Sequence, residues 1–313
     1  MFGLVSALKY PALTLGENEM TAIGRARSWA AAGVLLIGVA GCGLVPHASR
    51  PAGGGPTEAK ITAHEAALTA TEQQHVEQYW AGQGIAAMAR TDRSGAFVQP
   101  EWDKGGAIAR TVGRIYVTGA QDAACTATAV GTNTVVTAAH CVRTTLPDGS
   151  SRTATWDKNL YFVPGYRDGQ SPHGGFTVRR VHMAEDWQAD GSDVAMLEMN
   201  PAADGRSVSA VVGAQKIAFG AKPGGSTHQF GYPYTSRVLH CEGPGTQPGD
   251  APRFLRIPCR MGVGSSGGPY IVDLDPAGIG TVVAVNVSSD AAYSYGTALG
   301  PVASRLFTQS EHP

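Results

Sequence analysis

No stretch of the 313-residue chain is long and apolar enough to span a bilayer as a helix. The most apolar run, Ala30 to Val39, falls well short of the about 20 residues a spanning helix needs. Net charge is also missing. Twenty-four Lys and Arg against 25 Asp and Glu leave −1. No global field therefore draws the chain to nucleic acid or to an anionic surface. Charged residues make up 16% and hydrophobic ones 43%, an ordinary globular balance that can fill a sizeable core. Cysteine is sparse: Cys42, Cys125, Cys141, Cys241 and Cys259. None forms a Cys-x-x-Cys pair, which argues against a cysteine metal site. Glycine is abundant at 41, beside 19 prolines. That mixture favours many turns and few long helices, as in an all-β protein. No internal repeat is evident.

The N-terminus reads as an address. Arg25 and Arg27 precede the Ala30–Val39 run, the basic-then-apolar layout of a signal peptide. The run ends in Val39-Ala40-Gly41-Cys42, which resembles the lipobox of bacterial lipoproteins. In that family the cysteine is lipidated and becomes the first mature residue. Residues 1–41 are thus expected to be the signal, and Cys42 the lipidation site, which accounts for the odd cysteine. An ordinary cleaved signal and a secreted product is the other reading. Measured from Met20 the signal has an ordinary length, so Met20 is the expected start. Residues 42–57 are Gly/Pro-rich and read as a flexible tether.

Residues 58–109 carry helical signals. Thr62-Ala-His-Glu65 and Thr71-Glu-Gln-Gln74 both fit a capping box. Val76, Tyr79 and Trp80 fall on one helical face, and Gly82 is the expected stop. The segment reads as a pro-segment, a spacer or a pad packed on the rest of the chain, with Trp80 favouring packing.

From about Val112 the pattern changes to short β-rich runs between turn residues. These include Arg114–Thr118, Ala127–Val130, Thr134–Ala138, Phe176–Val181, Val194–Met199, Ile217–Phe219, Phe254–Ile257, Tyr270–Val272 and Thr281–Val287. Such spacing predicts a sandwich or barrel. Pro301 is placed to open a short terminal helix through about Phe307.

Three motifs stand on this background: Thr137-Ala-Ala-His140-Cys141, Ser192-Asp193-Val-Ala-Met-Leu197 and Gly264-Ser-Ser266-Gly-Gly-Pro269. Together, and in this order, they resemble the His, Asp and Ser motifs of the trypsin/chymotrypsin family. The resemblance covers roughly residues 110–310. Gly231-Tyr-Pro233 and the serine before Ser266 look nearest the bacterial V8-like (glutamyl endopeptidase) branch. It implies an all-β, two-barrel chymotrypsin-like fold over residues 110–313. It also implies a serine peptidase without metal or cofactor, acting on protein or peptide substrates, with a monomer expected.

The chemistry explains the residue types. A serine hydroxyl is a weak nucleophile and needs a base with a pKa near neutrality, which imidazole supplies. A carboxylate must then fix the imidazole tautomer and stabilise its cation. Ser266 would attack, His140 would carry the proton and Asp193 would orient His140. Asp186 and Asp190 are rivals, but Asp193 leads directly into an apolar strand. The resemblance makes the backbone N–H groups of Gly264 and Ser266 the oxyanion donors. It further implies disulfides Cys125–Cys141 and Cys241–Cys259, which suit an exported chain.

Specificity departs from the family. Ser265 stands where vertebrate-type zymogens have an Asp that receives a new N-terminus, so that activation switch is not expected. Six residues before Ser266, where trypsin has its selecting Asp, the count falls on Arg260, which argues against a Lys/Arg preference; as a substrate-binding residue it would favour an acidic side chain, and the other reading is that it points to solvent. Asn286 stands where glutamyl endopeptidases have a His, which puts that specificity in doubt. Val287, Ser288 and Ser289 would offer a strand edge to an extended substrate. A non-catalytic binding lipoprotein and an esterase with the same triad are the alternatives. Against the esterase, α/β-hydrolases run Ser-Asp-His along the chain.

Overall fold

The computed structural model describes residues 59–66, 68–92, 99–118, 122–144, 155–221, 224–249 and 253–312. The apolar run, Met20, Cys42 and the tether lie outside them. No helix among the described residues is long and apolar enough to cross a membrane.

Nine strands belong to the first half: β1 (Ile61–Glu65), β2 (Val112–Thr118), β3 (Asp122–Ala129), β4 (Thr134–Thr137), β5 (Arg143–Thr144), β6 (Thr155–Trp156), β7 (Lys158–Pro164), β8 (Phe176–Ala184) and β9 (Ala195–Met199). Antiparallel pairing runs β8-β7-β2-β3-β4-β9 and returns from β9 to β8, which closes a six-stranded barrel. β2 is buried on both faces, and its alternation divides the labour. Ile115 and Val117 enter the barrel core, while Val112 and Tyr116 join the apolar layer outside it.

Seven more strands build the second half: β10 (Lys216–Ile217), β11 (Ser226–Gly231), β12 (Leu239–Pro244), β13 (Phe254–Ile257), β14 (Pro269–Val272), β15 (Thr281–Ser289) and β16 (Ser294–Ala298). Six of them form a second sheet in the order β12-β11-β14-β15-β16-β13, with β10 alongside β15. This half-barrel stays open between β12 and β13. The Cys241–Cys259 disulfide and paired backbone bonds between Thr246 and Arg256 span the gap. A C-terminal helix then returns to the first barrel, where the Thr134 and Ser310 hydroxyls are 2.9 Å apart. The helix starts at Pro301 as expected but runs on to Glu311, because its last turn has this docking site to bury against.

The N-terminal extension departs most from its sequence reading. Thr62–Glu65 caps no helix; it lies within β1, which pairs antiparallel with Arg180–Ala184 of β8. The part of β8 that runs past its pairing with β7 offered an unpaired edge, which outweighed the local cap signal. The helix Ala70–Tyr79 is capped by Thr69, whose hydroxyl accepts from the Glu72 N–H while the Glu72 carboxylate accepts from Thr69. Thr71 therefore sits inside the helix. Gly82 does not stop it. The chain continues through a π turn, Trp80–Gly84, into a second helical segment, Ile85–Ala89. The wider turn makes room for the Trp80 ring: a Cβ on Gly84 would come 2.4 Å from it.

Val76 and Trp80 are buried as the periodicity implied. The Trp80 indole N–H donates to the Asn159 carbonyl at 2.7 Å, and its ring lies 5.0 Å from that of Tyr116. Farther along, Asp92 takes the Arg114 guanidinium and accepts the Tyr166 hydroxyl at 2.8 Å. Residues 100–102 bond to the second half, with Trp102 N–H on the Val238 carbonyl and His240 N–H on the Pro100 carbonyl, each 2.9 Å. The described part of the extension thus packs on both halves.

Candidate active site

His140 stands on a single 3₁₀ turn directly after β4, and Asp193 lies just before β9. β4 and β9 are paired neighbours, with Thr137 opposite Ala195, so the two side chains emerge at the same end. Asp193 grips the histidine twice. One carboxylate oxygen lies 2.7 Å from His140 Nδ1, and the other accepts the His140 backbone N–H at 3.0 Å. Burial works against the imidazolium, but the Asp193 hydrogen bond and charge outweigh it. The His140 pKa therefore lies above its ordinary value. The ring of Trp187 lies 6.5 Å from that of His140. The Cys125–Cys141 disulfide ties the residue after His140 to β3. Both sulfurs are committed to that bond, so they offer no thiolates for a metal beside His140.

Ser266 is partly exposed on a turn between the two halves. Thr126, on β3, fastens that turn to the first barrel. Its N–H donates to the Ser266 carbonyl at 2.8 Å, and its hydroxyl donates to the Gly264 carbonyl at 3.0 Å. The same hydroxyl accepts the Tyr232 N–H at 2.9 Å. Gly267 makes the closest approach. A Cβ there would meet Thr137 Oγ1 at 2.1 Å and Ala138 N at 2.9 Å, next to the histidine turn. Gly264 has φ +95°, a conformation other residues resist, and a Cβ there would lie 2.7 Å from the Tyr232 carbonyl.

Beneath Ser266, Ser265 is fully buried. Its hydroxyl donates to the Gly262 carbonyl at 2.5 Å and accepts from the Asn286 amide at 3.0 Å. Asn286 in turn accepts the Tyr270 hydroxyl at 3.2 Å, and its backbone bonds to Gly267 and Gly268. The structure therefore places Asn286 under the serine turn, with its amide engaged inside the protein. Val287, Ser288 and Ser289 emerge beyond it, increasingly exposed, on the stretch of β15 that has passed the end of β14. Arg260 is exposed. Both expected disulfides are present.

The sequence reading missed Thr126. Its only signal was adjacency to Cys125, and a buried threonine in a strand looks like any β-former.

The Trypsin family model matches residues 103–242. A protease from Arthrobacter nicotinovorans, Anisep, is similar in structure at TM-score 0.57 and 28% identity, covering 65% of this chain and 96% of that one. Residues 103–242 thus match the Trypsin family, and the chain carries the fold of a trypsin/chymotrypsin-like serine peptidase. Also similar is the thermostable serine protease AL20 from an extremophilic microorganism, at TM-score 0.57 and 26% identity over 66% of this chain and 98% of its own. A Glu endopeptidase shares the fold at TM-score 0.57 and 14% identity, over 70% of this chain and 99% of that one. No curated protein matches. The family match ends at 242, before the serine turn, so the reading of this peptidase's nucleophile stands on the local geometry.

Proposed function

We propose that this serine peptidase is an endopeptidase that works through an acyl-enzyme, with Ser266 as nucleophile, His140 as general base and acid, and Asp193 as the residue that orients His140. The observation that carries the reading is the double Asp193–His140 contact, with the serine turn fastened beside it through Gly267 and Thr126. Asp193 at Nδ1 leaves Nε2 of His140 as the nitrogen that faces outward to take the serine proton. The alkoxide then attacks the scissile carbonyl. Negative charge develops on its oxygen, where the N–H groups of Gly264 and Ser266 would donate. His140 returns its proton to the leaving amine, and water repeats the sequence to release the acid product. Each preorganised donor is worth roughly 3–4 kcal/mol in such a site. The free edge at Val287–Ser289 would hold an extended peptide by strand pairing. Its specificity would differ from both trypsin-like and glutamyl cleavage, since Arg260 faces solvent and Asn286 is committed internally.

Cys42 would anchor the enzyme to the outer face of the bacterial membrane, as the lipobox-like Val39–Cys42 supports. Secretion by simple cleavage is the other outcome. The test has two arms. A peptide library incubated with the wild type, Ser266→Ala and His140→Ala should give cleavage products only with the wild type. Turnover of small esters without peptide cleavage would favour the esterase reading instead. Fractionated cells should carry the wild type in the membrane and lose Cys42→Ala to the medium. Equal secretion of both would remove the lipid anchor.

A further inference from the structure

β11 and β12 carry polar side chains on a face turned away from the half-barrel interior. Thr227, Gln229, Leu239 and Cys241 are buried, while the alternate residues His228, His240 and Glu242 share the other face with Phe230. His228 stands directly opposite Glu242 in the strand register, and His240 opposite Phe230. This brings three donor groups together. His228 Nδ1 lies 3.0 Å from His240 Nε2 and 3.8 Å from Glu242 Oε2, and the three donor atoms fall within 4.8 Å of one another.

The geometry points to a divalent transition-metal site formed by His228 Nδ1, His240 Nε2 and the Glu242 carboxylate, suited to Zn²⁺. Zinc bonds to nitrogen and oxygen of ~2.0–2.2 Å require donors about 3.3 Å apart in a tetrahedron. The two separations, 3.0 and 3.8 Å, lie on either side of that value, so small side-chain rotations close the site. The second layer is in place as well. The Ser226 hydroxyl donates to the other oxygen, Glu242 Oε1, leaving Oε2 for the cation. His240 is wedged against Phe230, 4.8 Å between ring centres, and Trp102, 5.0 Å, which fixes its plane. Without a cation one imidazole N–H lies between His228 Nδ1 and His240 Nε2, and the metal would displace that proton to bond both nitrogens. The Lys104 amine sits 5.2 Å over the Trp102 ring. Two His and one Glu leave a fourth position for water on the exposed Glu242 side.

The site's effect would be a clamp. The metal would join β11 to β12, and with them the 99–102 segment through Trp102. β11 ends at Gly231, where a Cβ would lie 2.8 Å from Ser265 Cβ, so the clamp steadies the strand that backs the serine turn. The site is independent of the catalytic proposal.

The experiment is equilibrium dialysis of the full chain against Zn²⁺ at pH 7.5, with bound metal measured by elemental analysis and Co²⁺ substituted for its visible spectrum. His140→Ala is carried alongside to remove any zinc held by the catalytic histidine. The expected result is one metal per chain, retained in His140→Ala, with the intense bands of tetrahedral cobalt and a raised melting temperature. Glu242→Gln, which is half exposed and should fold, is expected to weaken binding at least ten-fold, and His228→Asn to abolish it. Absence of bound zinc, or metal retained in His228→Asn and Glu242→Gln, would overturn the site and leave the pair as a hydrogen bond between two imidazoles.

Discussion

Asp193 holds both the ring and the backbone of His140, so its replacement separates geometry from electrostatics. Asp193→Asn keeps a hydrogen-bonding group of the same shape but favours the wrong imidazole tautomer. A fall in kcat on the order of 10⁴-fold is expected, with KM little changed. The pH profile carries the sign. As the proposed base, His140 would have to be neutral to accept the serine proton, and its pKa is raised in the folded enzyme. Activity of the wild type should therefore rise with pH through a midpoint above the ordinary histidine value of about 6.5. In Asp193→Asn only burial remains, which lowers the pKa, so the limb should move to lower pH. An unmoved limb would mean that another group sets it. Asn286 gives a second residue-scale prediction. Asn286→Ala removes the donor to Ser265 and leaves the Tyr270 hydroxyl without its acceptor. Steady-state kinetics should show kcat reduced more than KM, because the serine turn with the proposed oxyanion donors loosens while the Val287–Ser289 edge stays. Folding stability should also fall, by about 1–3 kcal/mol in urea.

At the scale of elements, the extension behaves as part of the enzyme's packing. Arg114 is 1% exposed, held by the Asp92 carboxylate and the Thr235 carbonyl and stacked 4.1 Å from the centre of the Tyr166 ring. Breaking such a buried pair strands a charge and costs about 3–5 kcal/mol. Asp92→Ala should lose that much in urea unfolding, although Asp92 lies outside the two sheets. A loss below about 1 kcal/mol, the worth of an exposed pair, would show that water reaches Arg114. The elements also show how far the sequence was legible. Strands with apolar runs, such as Phe254–Ile257 and the Thr281–Val287 part of β15, were read from pattern alone. β11, Ser-Thr-His-Gln-Phe-Gly, and β16, Ser-Tyr-Gly-Thr-Ala, were not, since their polar and small residues are set by cross-strand partners rather than by local preference. The false cap at Thr62 has the same origin: a local signal met a free strand edge on β8. The His and Asp motifs were readable because their residue types are dictated by chemistry. Thr126 was not, because its role exists only once the serine turn is folded against it.

For the whole molecule, the question is whether residues 59–92 restrain the enzyme or complete it. β1 extends the barrel sheet, Trp80 is fully buried, and Arg305 of the C-terminal helix donates to the Ala59 carbonyl at 2.8 Å. Those contacts are what completion requires. A chain lacking residues 59–92 should lose its cooperative thermal transition and its activity together, whereas a removable pro-segment would leave a folded and more active remainder. Everything proposed for the folded enzyme converges on one activated hydroxyl. A fluorophosphonate reacts with a serine hydroxyl only when a neighbouring base activates it, so treating the full chain with such a probe and mapping the labelled residue by mass spectrometry examines that hydroxyl without knowledge of the substrate. A single label is expected on Ser266, absent from His140→Ala despite an unchanged melting temperature. A label elsewhere, or an equal label on Ser266 without His140, would contradict the assignment of Ser266 and His140 as nucleophile and base.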